Sequence, residues 1–516
     1  MFKHYVKVAI RQIKRSFLFS SINMLGFVLG MTAAFLIYLW IVDELTFEDF
    51  NKNGDYIYRV IREEQSAKGQ VPSTVTPLSE VFRKNFSKVE NATFIKYGGK
   101  YDIYAGDVGV EANYGYVDTT FFDVFSFPVV AGDPSLLKKD PQMVVLSEAI
   151  AEKLFGKTSA IGKEVTCKFN KKYYKVAAVL KVPRKSHIQF EVLASWDSYL
   201  WDEIKDELWG FSERMHVFIQ LKKGTSLTDA DRLAMRDLWV KHSQWGKPLA
   251  FQPLKDIHLR TAFKEPNDVY NHGNMQQIYL FAALAALIIF MGAFNFMTLS
   301  TARASQRSKE IGVRKVTGAK RKKLIMQFLS ESLVQAFISL LLALALTELL
   351  LPFFNMFVEK DITLQFNWQT LLFVLFGIVG VGCLAGSFSA FYMSSFSPLL
   401  AFKGGQATGK KGRLVKGLVC LQFVIAITMI ICTTIIFKQL HYLQNADLGL
   451  NKEHLIEVDV LDWRRGADGF KQEILKNPYV KSVALGVEIT NYLQGYSFEE
   501  NMFRWEDENG KTDSVK

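Results

Sequence analysis

The sequence predicts an integral membrane protein, an α-helical transmembrane bundle of five spans carrying an α+β extracytoplasmic domain. Three observations predict it. The chain has 516 residues, 49% of them hydrophobic, with a mean hydropathy of +0.09, which is too apolar and too long for one soluble domain. The apolar residues gather in five runs, 21–42, 276–302, 324–350, 368–393 and 414–437, each nearly free of charge. Each is long enough to cross a hydrocarbon core, which takes roughly 20 helical residues. The net charge of +11 is placed unevenly between these runs.

The N-terminal segment 1–20 carries five Lys/Arg and no acid. Within it Phe2, Tyr5, Val6, Ala9, Ile10, Ile13 and Phe17 recur at helical spacing, with Lys3, Lys7, Arg11, Lys14 and Arg15 on other faces. This is an amphipathic interfacial helix, suited to lie on anionic lipid headgroups. The run 21–42 is an anchor. It exceeds the roughly 7–15 apolar residues of a cleavable signal, and Asp43 and Glu44 stand where small residues would mark a cleavage site.

Segment 43–275 is a folded domain with 32 Lys/Arg and 32 Asp/Glu. Alternating residues predict strands at 56–61, 173–180 and 215–221. Ser147 to Phe155, closed by Gly156, reads as a short helix, and 228–242 as another. Cys167 is the domain's lone cysteine, so no disulfide framework is available to it.

The cytoplasmic loop 303–323 carries nine Lys/Arg against Glu310 alone, and 394–416 carries five and no acid. Under the positive-inside rule one topology results. The N-terminus, 303–323 and the linker 394–413 are cytoplasmic, whereas 43–275, 351–367 and 438–516 lie outside. The basic excess is therefore mainly topogenic, and no basic face gathers for nucleic acid. Residues 11–60 recur at 411–460, with Asn51-Lys52 matched by Asn451-Lys452. The expected organisation is one complete unit followed by the start of a second, with 438–516 a partial second outer domain.

Catalytic chemistry is missing. The eight His never approach metal-ligand spacing. Gly404 to Lys411 imitates a phosphate-binding loop, but Lys411 stands where Ser or Thr must ligate Mg²⁺, and the segment lies between two spans. No cofactor is expected on this chain. Within the spans, Gly26/Gly30 and Gly382/Gly386 make small-xxx-small faces for close helix packing. Glu331 and Gln335 sit one turn apart inside the third span. They read as a near-interface carboxylate paired with the basic loop, ahead of an ion or proton relay.

The most specific segment is Glu310-Ile311-Gly312-Val313-Arg314-Lys315-Val316-Thr317-Gly318-Ala319. It reads as a basic helix, 303–316, broken at Gly318. Ile311 and Val313 are apolar in a loop that should be solvated, as a docking contact needs. The segment closely resembles the cytoplasmic motif of the MacB/FtsX-like ABC permeases. Val144 to Glu148, Leu154-Phe155-Gly156, Ile161-Gly162-Lys163 and Ser397 to Leu400 match the same family, and the doubled plan resembles long Bacteroidetes-type permeases, here cut short in the second half.

That resemblance implies a fold and a role. The chain would be the non-catalytic transmembrane subunit of a bacterial inner-membrane ABC transporter, with a MacB-like periplasmic core domain. ATP would be bound by a separate ABC ATPase docked on Glu310, Ile311, Gly312, Val313, Arg314, Lys315, Gly318 and Ala319. Two permease units would pair as a dimer or pseudo-dimer, with a periplasmic adaptor among the implied partners. Hydrolysis would move the outer domains by mechanotransmission, for export or extraction. The alternative is the same scaffold as a transmembrane regulator or sensor, controlling a cell-envelope hydrolase or kinase. An enzyme in the outer domain is the weakest reading, for want of a catalytic constellation.

Overall fold

A computed structural model describes residues 2–64, 69–156, 158–168, 172–199, 215–242, 248–261, 272–317, 320–364, 368–394, 410–446, 454, 456, 463–483, 504–506 and 512–514. The chain divides into two units, one formed by Met1–Phe263 with Tyr270–Thr433, the other by Lys264–Val269 with Thr434–Lys516.

In the first unit, α1 (Phe2–Arg15) is followed by α2 (Phe17–Leu45), separated at Ser16, whose Oγ donates to the Gln12 carbonyl. The outer domain comes next: β1 (Ile57–Glu64), β2 (Gly69–Val71), α3 (Pro77–Asn85), β3 (Val89–Ala105), β4 (Val108–Val117), α4 (Phe121–Val124), β5 (Val129–Gly132), β6 (Met143–Ser147), α5 (Glu148–Phe155), β7 (Glu164–Cys167), β8 (Lys172–Leu180), β9 (Val192–Ser195), α6 (Trp196–Tyr199), β10 (Met215–Leu221), α7 (Asp229–His242), β11 (Leu249–Pro253) and α8 (Asp256–Arg260). Three long helices complete the unit, α9 (Met275–Val316), α10 (Arg321–Val358) and α11 (Trp368–Ser394). A fourth, α12 (Lys410–Asn445), runs from this unit into the next.

The eleven described strands of the outer domain form one sheet in the order β11-β1-β10-β3-β4-β9-β6-β8-β5, with β2 on β1 and β7 on β3 and β8. Its β4–β9 and β6–β8 pairs are parallel and the others antiparallel. β10 shows why such a sheet needs two cores. Met215, Val217, Ile219 and Leu221 enter one, while Phe218 enters the other on the opposite face. The β3–β4 hairpin closes on Gly106-Asp107, with Gly106 in the left-handed region that a two-residue turn requires. The expected helix at 147–155 is α5. The Ser147 hydroxyl caps it by accepting the Ile150 N–H, and Gly156, at φ 62°, ends it.

Among the described residues, four helices are long and apolar enough to cross a membrane, Phe17–Leu45, Met275–Ser300, Arg321–Val358 and Val419–Asn445. The expected count is five. The remaining run forms α11, a continuous helix of 27 residues, and part of its side chains lie outside the described residues. Phe27, Met31, Phe35, Phe296 and Leu340 form an apolar core between these helices, and small polar residues are buried beside it while other large apolar side chains face outward. Leu18, Leu25 and Leu29 of α2 face outward, while Ser20, Asn23 and Thr32 are buried. On α10, Phe353, Met356 and Phe357 are exposed, while Ser332, Ser339 and Thr347 are buried. Small polar residues inside and apolar residues outside suit a lipid surround.

The second unit contains α13 (Trp463–Leu475) and a hairpin of β12 (Arg504–Glu506) and β13 (Thr512–Ser514).

Candidate coupling site

Helix α9 runs unbroken from Met275 to Val316. Asn274 caps its start by accepting the Gln276 N–H at 2.8 Å. Sequence reasoning sets a separate helix from residue 303, but the helix passes through that boundary. The reason is local. Between Gly292 and Gly312 there is no Gly or Pro, and the Ala, Gln, Lys, Arg and Glu of 302–310 are good helix formers. The basic segment thus continues the helix that holds the apolar run, about 21 Å of it past residue 302 at 1.5 Å per residue. Thr317 closes it, with its Oγ1 3.1 Å from the Val313 carbonyl oxygen and 3.0 Å from that of Arg314.

The motif residues divide by environment. Gly312 is buried, whereas Val313 is 51% and Val316 69% exposed. Lys315 has its pKa lowered, first by partial burial and then by the neighbouring Arg321 charge. The backbones of Glu310 and Ile311 are helical, while their side chains lie outside the described residues. Gly318 and Ala319 lie outside them altogether, as does the phosphate-loop imitation at 404–409.

Arg314 turns toward α10. Its Nη1 donates to Gln327 Oε1 at 2.9 Å, and Gln327 Nε2 donates to Glu331 Oε1 at 3.1 Å. Gln327 and Glu331 share the buried stripe of α10 with Leu324, Phe328 and Ser332. The Glu331 carboxylate therefore belongs to a polar chain that reaches Arg314 of the basic motif. Gln335, the next turn, is not drawn into it. Its Oε1 is buried with no hydrogen-bond partner among the described residues.

The glycine pairs face neighbouring helices of the same chain. A Cβ at Gly26 would lie 3.0 Å from Asn295 Nδ2, and one at Gly30 would lie 3.6 Å from the Ile288 carbonyl, both on α9. At Gly382 and Gly386 it would lie 2.6 Å from Leu333 Cδ2 and 2.8 Å from Ser332 Cβ, on α10.

A second polar cluster, which sequence reasoning missed, stands where α2 enters the outer domain. Glu44 is buried, with Oε2 2.5 Å from His258 Nε2 and Oε1 2.6 Å from Lys360 Nζ. Asp43 bridges Lys360 at 2.7 Å and Lys185 at 2.6 Å. Four residues on, the buried Glu48 holds His187 Nδ1 at 2.7 Å and Asn51 Nδ2 at 2.7 Å. The available signal was the run Asp43-Glu44 to Glu48-Asp49 directly after a span. Carboxylates in that position need partners.

Comparison with known proteins finds similarity over the same regions. The family described as MacB-like periplasmic core domain matches residues 20–234. The family described as FtsX-like permease C-terminal matches 282–399, which contains the α9 motif and all of α10. Among curated relatives, the macrolide export ATP-binding/permease protein MacB of Neisseria gonorrhoeae is 22% identical over 286 residues, 55% of this chain and 42% of that protein. The protein of the same name from Campylobacter jejuni is 23% identical over 333 residues, 62% of this chain and 50% of the relative. The chain thus spans about half the length of these relatives. Among solved structures, the periplasmic region of MacB from Actinobacillus actinomycetemcomitans superposes with a TM-score of 0.31 at 15% identity, covering 40% of this chain and 91% of that one. The extracellular domain of the noncanonic ABC-type transporter YknZ from Gram-positive bacteria gives 0.28 at 14%, covering 38% and 99%.

Proposed function

This chain belongs to the MacB/FtsX-like ABC transporter permeases, and from that premise we propose that it couples ATP hydrolysis on a separate ATPase to movement of its outer domain. The observation that carries the reading is the end of α9. It presents Val313 and Val316 to solvent within a basic segment, while Arg314 is turned inward to hold α10. Exposed branched aliphatics on a rigid basic helix offer a docking surface, and the inward arginine gives docking a route into the bundle. Glu310, Ile311, Gly312, Lys315, Gly318 and Ala319 complete the docking motif.

The membrane reading follows the same premise. Helix α11 is 27 residues long without a charge, about 40 Å of helix, and supplies the fifth span. With α9 ending in the basic segment, the positive-inside rule puts that end and the N-terminus in the cytoplasm and the outer domain in the periplasm. The chain itself supplies no catalytic group, and two permease units pair over two ATPase copies. The work done is export or extraction at the periplasmic side, with the outer domain and any adaptor receiving the motion.

Co-purification of the cognate ATPase tests the docking. Ile311→Asp and Val313→Asp each replace an aliphatic contact with a charge. Loss of one or two branched aliphatic contacts weakens binding by about 2–4 kcal/mol, roughly 30- to 700-fold. Membrane insertion stays normal, since one acid leaves the segment strongly basic. Unchanged ATPase recovery with both variants would refute the docking.

A further inference from the structure

The exit of α2 is built in two tiers. In the first, Asp43 and Glu44 gather groups from four places in the chain. Lys185 comes from the segment between β8 and β9, and His258 from α8. Lys360 comes from the loop after α10. Gly273 leads into α9, and a Cβ there would lie 2.8 Å from Glu44 Oε2 and 2.9 Å from His258 Nε2. The Phe47 ring stacks on the His258 imidazole at 3.8 Å between centroids. Arg184 adds a second link to the loop after α10, 2.9 Å from Asp361.

In the second tier, Glu48 occupies the left-handed region at φ 65°, unusual for a residue with a side chain. Its carboxylate accepts the His187 backbone N–H and meets His187 Nδ1, while its own N–H donates to the Lys185 carbonyl at 2.8 Å. Asn51 passes the contact on, accepting the Ser126 N–H at 2.9 Å. A strained backbone held by buried polar contacts on every side is over-determined, as functional joints tend to be.

The loop bearing Lys360 is itself stiff. Glu359 ends α10 in the left-handed conformation, and Asn355 exchanges two hydrogen bonds with the Ile362 backbone, at 2.9 and 3.1 Å. At its other end α10 meets Arg314 through Gln327. One helix of 38 residues, about 57 Å long, therefore connects the motif at the end of α9 to the first-tier cluster.

We propose that α10 is a strut and that the Asp43–Glu44–His258–Lys360 cluster is the joint fastening it to the outer domain, so that the domain and the outer ends of α2 and α10 move as one body. The proposal rests on the reading that the α9 end receives the ATPase, since that is where a strut would be pushed. Side chains provide this linkage, so removing a charge loosens it without cutting the chain. Loss of Lys360 alone leaves the buried Glu44 carboxylate with His258 as its remaining partner and Asp43 with Lys185, whereas Glu44→Gln with Lys360→Met removes both charges of that pair together.

The test is a distance distribution in the full-length chain. Spin labels are placed on exposed positions, Lys153→Cys on α5 and Leu349→Cys on α10, after Cys167→Ala and serine replacement of Cys383, Cys420 and Cys432. Pulsed electron resonance on the parent in nanodiscs gives one narrow distance. Lys360→Met and the Glu44→Gln/Lys360→Met double variant broaden it at least two-fold, while the buried tryptophans of the outer domain keep their native fluorescence. The double variant reports on the joint even where the single variant misfolds. A width equal to the parent's in the double variant overturns the joint. Adding the ATPase with ATP is a separate arm. A parent that fails to bind the ATPase overturns the docking reading, whereas the width alone decides the joint.

Discussion

Replacing Asp118 by Asn should stabilise the outer domain at neutral pH. Asp118 follows β4. The residue as a whole is only partly buried, but its carboxylate is turned inward. Oδ1 accepts the Thr93 hydroxyl and the Thr120 N–H, the latter at 3.2 Å. Oδ2 lies 3.0 Å from the Thr120 hydroxyl, which is also 2.6 Å from the Ala92 carbonyl. One hydroxyl proton cannot serve both oxygens, and the shorter contact is with Ala92. Burial pushes the Asp118 pKa up from 3.8 to about 6, against the opposing pull of Thr93 and Thr120. Well below pH 3.8 both folded and unfolded chains hold the proton, and the site costs nothing. Between about pH 4 and 6 the unfolded chain releases its proton first, so stability falls as pH rises. Above about pH 6.5 the full cost is present, about 2–3 kcal/mol at roughly 1.4 kcal/mol per pKa unit. Asn mimics the protonated acid, because its Nδ2 can donate to the Thr120 oxygen. Urea unfolding of fragment 43–275 from pH 4 to 8, followed by fluorescence of the buried Trp196 and Trp239, should show the two proteins closest in stability at pH 4. At pH 8 Asp118→Asn should be about 2 kcal/mol more stable. A variant less stable than the parent at pH 8 would refute the reasoning, since the ionised carboxylate would then be holding the fold.

Two further outcomes follow from the membrane part. Gly386→Ala should lower the thermal midpoint in detergent by several degrees, since even one methyl would sit 2.8 Å from Ser332 Cβ on α10, an overpacking cost of about 1–3 kcal/mol. Gly377→Ala on the same helix, with nothing within 4 Å, should not, and equal effects would sink the packing argument. An impermeant thiol reagent should label Lys153→Cys from outside intact cells and Val316→Cys only after permeabilisation. Ser198 is a poor outer reporter, being buried with its hydroxyl on the Ser195 carbonyl. Labelling of both positions from one side contradicts the topology.

The spans were readable because lipid imposes a length and a composition on them, and both are local properties of the chain. Strand β10 and helix α5 were readable for the same reason, one from alternation and one from its capping residues. Sheet order was not, because period-2 alternation marks a strand without naming its neighbour. The joint was hidden by distance along the chain. Glu44 meets His258 across 214 residues and Lys360 across 316, and no single window contains the cluster. The basic segment misled in one respect. Its Lys and Arg read as the end of a span, but both are also strong helix formers, so the helix does not end there.

The unbroken course of α9 gives the docking segment a fixed rotational phase. Each residue advances the helix by about 100°, so the azimuth of Val313 is tied to that of the exposed Tyr279 and Leu280 in the same helix. A loop would tolerate an inserted residue between 300 and 311, since it could re-aim its tip. A continuous helix cannot. One added alanine would swing the valines about a quarter turn away and drag Arg314 off Gln327, whereas seven would return them to within about 20° of their starting direction, displaced outward by about 10 Å. The spacing between span and motif is then a matter of angle as much as of length, and lengths one residue apart are mechanically different molecules.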